Sequence, residues 1–337
     1  MRYCCISIDV ECDKGPNWLI KKPMQFTSVH HTIPDYLQPC LQAAGAKATY
    51  LLSPEVLNDP KNIKILSTVR QQGAELGTHL HSEFVPPFDN TGANKTQRMQ
   101  NEYPRHIEEK KIVNLTERFK TVFNFSPTAF RAGRFGLSNH TLTILQKYDY
   151  CVDSSVAPFS SWKNEIDFFG APTQPYFPDQ HNFRQKGDMH IVEIPVTIGA
   201  CWWEYIPPAL FRVLPPTCLF WGVLRKHLFL NGKFTPVWLR PTFATTRQMK
   251  KLEKRESRKV SDVFLNMMFH SVEFSAGNSP YAQSREKVND FKRELETTLN
   301  HLKIMGYKFV TLTEAAKIFR KRYEHSTHHR IRTPGRS

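Results

Sequence analysis

Three short apolar runs, each ending in ionisable side chains, constrain this chain more than any other feature: SIDVECD at 7–13, ELGTHLHSEF at 75–84 and FRAGRFG at 130–136. A run of about four to eight apolar residues reads as a strand covered on both faces, the kind that builds a parallel sheet with helices against it. Barrel and open α/β folds put their chemistry at the carboxyl ends of such strands. The run 3–8 therefore delivers Asp9, Glu11 and Asp13 to that end. His79 and His81 follow the short run 74–76, and residues two apart in extended backbone project to the same side. Two histidines and a carboxylate are a typical ligand set for a catalytic zinc-like ion that keeps one position open for water.

The rest of the chain repeats strand and helix. Strands are expected at 3–9, 46–52, 74–78, 127–131, 150–153, 191–197, 264–270 and 308–311, and helices at 33–44, 61–72, 104–123, 138–148 and 285–304. Ser138 is the expected N-cap of its helix. This alternation implies βαβ units on a parallel sheet. The stretch 156–190, rich in Pro, Phe, Asn and Gln, has no sustained period and reads as an insertion bordering the cleft.

The net charge of +15 is concentrated in 247–259 (+5) and 317–337 (+6), which supply 11 of the 15 charges and leave +4 on the other 303 residues. A charge so confined reads first as a solvated helical face and a disordered tail, and second as attraction to anionic lipid or phosphorylated substrate. It argues against nucleic acid, for which no reading motif is present. Seven scattered cysteines without Cys-x-x-Cys spacing argue against a zinc ribbon or a full disulfide framework. Residues 1–6 already read as strand, with no signal-peptide pattern ahead of them, so a cytoplasmic location is expected. The apolar stretch 205–231 is too interrupted to span a bilayer, since its charge-free run 213–224 has 12 residues against the ~20 required. It reads as a buried helical hairpin or as an interfacial segment at the inner membrane face.

The three motifs, with MMFHSVEF at 267–274 and GYKFVTLTEAAKIF at 306–319, resemble the polysaccharide deacetylases of carbohydrate esterase family 4, the NodB-homology family. Over 3–320 the resemblance implies a distorted (β/α) barrel of mostly parallel strands with loop insertions. It implies a base at Asp9, a metal-binding pair at His79 and His81, an arginine brace at Arg131 and a histidine acid at His270. The family usually has adjacent aspartates and histidines four apart. Asp9-Val10-Glu11, His79-Leu80-His81 and Arg131-Ala132-Gly133-Arg134 look closer to a divergent, sugar-biosynthetic branch. There Glu11 or Asp13 is expected to replace the second aspartate. Arg134, Asp153 and Glu193 are candidates for substrate contact; the Asp153-Ser154-Ser155 run could equally end a strand, and Glu193 inside 191–197 needs an arginine or the cleft, because an unpaired buried carboxylate is costly.

The expected protein is one catalytic domain, 1–322, with insertions about 156–190 and 199–260 and a basic tail at 323–337. The implied activity is metal-dependent removal of an N-acetyl group from a nucleotide- or lipid-linked sugar in envelope polysaccharide or lipopolysaccharide biosynthesis. The metal is expected to be zinc, with cobalt, nickel or manganese as alternatives. Two other readings stay open: an inactive carbohydrate-binding relative, with Trp202, Trp203, Trp221 and Trp238 as stacking surfaces, and a basic nucleic-acid-binding protein.

Overall fold

The computed structural model describes residues 1–88, 98–161, 166–199 and 236–331. Its central strand is β1 (Arg2–Val10), buried along nearly its whole length. One edge of β1 pairs in parallel with β9 (Val263–His270), in a register that sets Asp9 opposite His270. The other edge is shared, with β10 (Lys308–Phe309) at Tyr3 and Cys4 and β2 (Thr49–Leu52) from Ser7 to Val10. From β2 the sheet continues in parallel through β3 (Glu75–Leu80), β4 (Ala129–Ala132), β5 (Val152–Asp153) and β6 (Val192–Glu193). A separate antiparallel pair joins β7 (Ile198–Gly199) to β8 (Val237–Trp238).

The sheet is a distorted (β/α) barrel whose ladder stops short of closure. Where β6 should meet β9, Thr197 N–H donates to the Asn266 carbonyl at 3.0 Å and Asn266 N–H donates to Thr197 Oγ1 at 2.7 Å. The Asn266 side-chain amide donates to the Ile194 carbonyl at 3.2 Å. The expected strand 191–197 thus forms ladder pairs only at its start and serves afterwards as a seam.

Alternation along β1 separates two environments. Cys4, Ile6, Ile8 and Val10 pack outward among the helices in the larger apolar cluster, whereas Tyr3 and Cys5 belong to the smaller inner one. Because side chains alternate with period two, Ser7, Asp9 and Glu11 follow Tyr3 and Cys5 on the inner face. That face is therefore apolar at the start of the strand and polar at its carboxyl end.

The helices follow their sequence signals. α1 (Gln38–Ala44) closes on Gly45, whose φ of +70° suits a residue without a Cβ. It is continuous with a π-helical stretch, Ser28–Leu37, that begins five residues before the expected start. The cause is Asp13, whose carboxylate accepts from the Thr27 and Ser28 N–H groups at 2.8 and 3.2 Å. α2 (Pro60–Gln71) is capped by Asp59, which accepts from Lys61 and Asn62 N–H. α3 (Arg105–Phe123) and α4 (Thr141–Lys147) flank β4, and Ser138 Oγ accepts from His140 and Thr141 N–H just before α4. α5 (Thr246–Glu256) starts with a Thr245–Gln248 capping box. α6 (Arg285–Ile304) buries Val288, Phe291, Leu295, Leu299 and Leu302, the three-and-four spacing of one helical face, each worth about 1.5–3 kcal/mol of burial.

The last helix, α7 (Leu312–Ile331), runs past the expected domain boundary at 322, tied there by Arg322, which pairs with Asp262 and donates to Tyr3 Oη at 2.9 Å. The described parts of 156–190 contain neither helix nor strand ladder, only isolated bridges. The stretch 205–231 lies outside the described residues. No described helix is long and apolar enough to cross a membrane.

Candidate active site

At the carboxyl end of β1 and β3, Glu11, His79 and His81 point into one buried cluster. Glu11 Oε1 lies 2.9 Å from His81 Nε2 and 3.2 Å from His79 Nε2, and the two imidazole nitrogens are 3.2 Å apart. Three donors about 2.1 Å from a tetrahedral centre stand roughly 3.4 Å apart, so this triangle fits a small divalent cation with little expansion. The outer partners fix the rings. His79 Nδ1 donates to the Arg131 carbonyl at 3.1 Å, which fixes the ring with Nε2 toward Glu11. His81 Nδ1 faces the Glu83 carboxylate at 3.5 Å, and Glu83 is paired with Arg134. Gly133 makes room for this packing, since a Cβ there would sit 2.4 Å from the Leu80 carbonyl and 3.3 Å from the His81 ring.

The electrostatics follow from burial and pairing. Burial disfavours an ionised Glu11, but Lys14, itself buried with its ammonium on Glu11 Oε2, and the His81 imidazole together hold it well below the ordinary carboxylate range. Burial likewise opposes the His81 cation, yet Glu11 pushes it up to about 9. An ion taking His81 Nε2 therefore displaces a proton.

Asp9 sits beside this cluster, with Oδ2 3.7 Å from His79 Nε2 and 3.8 Å from His270 Nε2. Its other oxygen accepts from Arg131 Nη1 at 2.6 Å. Burial raises the Asp9 carboxyl, but Arg131, with His79 and His270, brings it below the usual carboxylate range. Arg131 is itself held by four acceptors: besides Asp9, its guanidinium donates to the Ser154 carbonyl at 2.7 Å, Ser7 Oγ at 2.7 Å and Ser154 Oγ at 2.9 Å. Asn266 ties the two serines together, accepting from Ser7 Oγ at 2.8 Å and donating to Ser154 Oγ at 2.9 Å.

His270 comes to the opposite flank on β9. Its Nδ1 lies 2.6 Å from Glu273 Oε1, and its Nε2 lies 3.6 Å from Glu11 Oε1. Glu273 is fully buried, which raises its carboxyl, but its partner Arg240 lowers it to about 2. The Glu273 carboxylate behind Nδ1 orients the ring. The cleft above these groups has a volume of about 450 Å³. Aromatic rings form a continuous wall: Trp18 meets Tyr281 at 5.3 Å, Tyr281 meets Phe243 at 5.0 Å, Phe243 meets Trp238 at 5.8 Å and Trp238 meets Phe135 at 6.1 Å between centroids. Of the tryptophans expected to stack on sugar, Trp238 lines this wall, and Trp202, Trp203 and Trp221 lie outside the described residues.

The structure thus brings together Asp9, Glu11, His79, His81, Arg131 and His270, with Arg134 at the cleft margin through Glu83. Three expectations are corrected. Asp13 is not part of the cluster, because β1 ends at Val10 and the Asp13 oxygens are taken by the backbone at 27–28. Asp153 and Glu193 do not reach the cleft. They stand in register with Phe130, an outward-packing residue, so strand alternation turns them away from the inner face on which Arg131 lies. Asp153 accepts from Ser155 Oγ at 2.6 Å and Glu193 from Val156 N–H at 3.0 Å. Reading missed Lys14, Glu83, Trp18, Arg240, Tyr281 and Glu273. Glu83, two residues after His81, and Glu273, three after His270, carried a visible signal at strand ends.

Burial, and then the Asp153 charge, pushes Glu193 well above the ordinary carboxyl range, and burial raises Asp153 as well. A carboxyl raised on folding contributes stability fully below its unfolded value, about 4.3, and loses it as pH climbs toward the folded value. Glu193→Gln, which keeps the shape without the charge, is expected to flatten that loss. The gap in melting temperature between variant and wild type should move in the variant's favour from about pH 5 to about pH 8; a constant gap across that window removes the neutral carboxyl.

No protein-family model matches the chain, and no curated protein matches it. In fold it is similar to solved polysaccharide deacetylases and related structures. A putative polysaccharide deacetylase from Mycobacterium smegmatis is 13% identical, with a TM-score of 0.48 over 96% of this chain and 92% of that one. The CE4 family pseudoenzyme BA3943 from Bacillus anthracis is 9% identical, with a TM-score of 0.46 over 94% and 65%. A 4-alpha-glucanotransferase from Thermococcus litoralis is 12% identical, with a TM-score of 0.50 over 94% of this chain and 40% of that one. Likenesses at this level of identity concern the fold; the chemistry has to be argued from the side chains.

Proposed function

We propose that this protein is a metal-dependent hydrolase that removes the acetyl group from an N-acetylated sugar. The observation that carries the reading is the Glu11–His79–His81 triangle, flanked on one side by the Asp9–Arg131 pair and on the other by the His270–Glu273 pair. Glu11, His79 and His81 would hold the cation, zinc or another divalent metal. When bound, such an ion supplies Lewis-acid polarisation of the acetyl carbonyl and a water acidified from 15.7 toward about 7.

The chain's own groups divide the proton work. Asp9, kept ionised by Arg131, accepts a proton from the attacking water as its oxygen bonds to the carbonyl carbon. His270, backed by Glu273, donates a proton to the sugar nitrogen as the carbon–nitrogen bond breaks, leaving acetate and a free amine. The aromatic wall offers faces for a pyranose ring, and Arg134 at the margin suits an anionic substituent or carrier. A nucleotide- or lipid-linked sugar of envelope biosynthesis is the finer reading, and it rests on the motif resemblance.

A second reading, a carbohydrate-binding relative without turnover, draws on Lys14, whose ammonium already brings a positive charge to Glu11. Acetate release from N-acetylhexosamines, free and carrier-linked, decides between them. In the hydrolase, chelation lowers the rate by about two orders of magnitude or more, and added zinc or cobalt restores it. Sugar binding without acetate release at any metal loading selects the binding protein.

A further inference from the structure

The basic run 247–259 and Arg322 of the C-terminal helix lie at the end of the barrel opposite the cleft. Asp262, just before β9, takes both the Met1 ammonium, at 2.5 Å, and the Arg322 guanidinium of α7. Next to them Arg2, Arg247, Lys250, Lys251, Lys254 and Arg258 ring a cavity of about 750 Å³ between α5 and α6. Arg247, Lys250, Lys251 and Lys254 of α5 are exposed and make no ion pair among the described residues. The one acid in the cavity wall, Glu253, is buried and engaged by Tyr307 Oη at 3.0 Å and His301 at 3.4 Å.

Apolar side chains stand out among these charges. Ile304 is 74% exposed, Met1 63%, Val260 38% and Met305 37%. All four belong to this end: Val263 N–H donates to the Met1 carbonyl, the Met1 ammonium donates to the Ser261 carbonyl, and Arg2 donates to the Met305 carbonyl. Cations interleaved with protruding apolar tips match a surface that offers anionic headgroups with acyl chains beneath them. A nucleic-acid backbone would satisfy the cations and leave Ile304 in water, and among the described residues this end presents no row of exposed rings for bases.

We infer that this end of the barrel docks on an anionic lipid bilayer. β1 then fixes the orientation. It runs from Arg2 at the docking face to Val10 beside the cleft, about 26 Å of strand, so the cleft opens away from the lipid. Docked in this way, the protein presents its cleft to sugars held clear of the headgroups, on a soluble carrier or an extended chain. The inference is independent of the hydrolase reading, because its readout is binding and requires no turnover.

The test is sedimentation of the full chain with phosphatidylcholine vesicles that contain or lack phosphatidylglycerol. Wild type should bind the anionic vesicles and not the neutral ones, and lose most binding between about 0.1 and about 0.5 M salt. Lys250→Glu with Lys251→Glu and Lys254→Glu should weaken binding about tenfold or more at an unchanged melting temperature. Ile304→Ser with Met305→Ser, which leaves every charge in place, should also weaken it, and this pair carries the test if the charge-reversed protein does not fold. Wild-type binding by both variants overturns the inference. So does release from vesicles by millimolar pyrophosphate, which would mark a small-phosphate site, or equally tight binding to duplex DNA, which would mark a general polyanion surface.

Discussion

Asp9→Asn protein is expected to bind its divalent ion as wild type does and to deacetylate about 10²–10⁴-fold more slowly, the usual contribution of a positioned general base. Asn suits the test because its amide oxygen can still accept from Arg131 Nη1, now 2.6 Å from Asp9 Oδ1. Truncation to Ala would strand a fully buried guanidinium, and breaking a buried pair costs about 3–5 kcal/mol, so lost folding would masquerade as lost chemistry. His81→Ala and Glu11→Gln are the complementary variants: the first removes a donor from the triangle, the second replaces its carboxylate with a weaker, neutral amide oxygen, and each should lose metal and activity together. Metal content by mass spectrometry beside acetate release separates the cases. Asp9→Asn protein that turns over at near-wild-type rate would take the base role away from Asp9, and His81→Ala protein that keeps full metal occupancy would take the triangle apart.

His270→Ala should lower kcat on an acetamido sugar by about 10²–10³-fold, and much less on an aryl acetate whose leaving group needs no proton. Glu273→Gln should reproduce part of that selectivity, because it replaces the carboxylate 2.6 Å behind His270 Nδ1 with a neutral amide. The ratio of the two rates is the informative quantity, since a histidine that merely packs the end of β9 would depress both substrates alike. Glu273 also holds Arg240 and accepts from Thr242 Oγ1, so its variant should melt several degrees lower, whereas His270, 14% exposed, should cost less. Equal losses on both substrates would assign His270 a structural role.

The sequence determined a good deal by itself. Period-two alternation along 3–11 set Asp9 and Glu11 on one face, and the two-residue spacing of His79 and His81 aimed both rings the same way; each follows from backbone geometry within a single strand. The strand–helix order was legible because apolar runs and helical periodicity are local signals, and Ser138 marks a helix start by chemistry that acts within a turn. Tertiary structure decided what depends on where a strand stops or which neighbour it meets. Asp13 shares the parity of Asp9 and Glu11, but the chain leaves the strand at Val10 and Asp13 caps a distant helix start. Asp153 sits at a strand end as expected, and Glu193, expected inside 191–197, ends a strand of two residues; β5 and β6 are too short for alternation to reveal which face they take. Arg131 meets Asp9 across 122 residues, and Arg240 meets Glu273 across 33; no local pattern encodes either pairing, because each is made only when the sheet curls until β9 lies along β1 and β4 faces them across the inner surface.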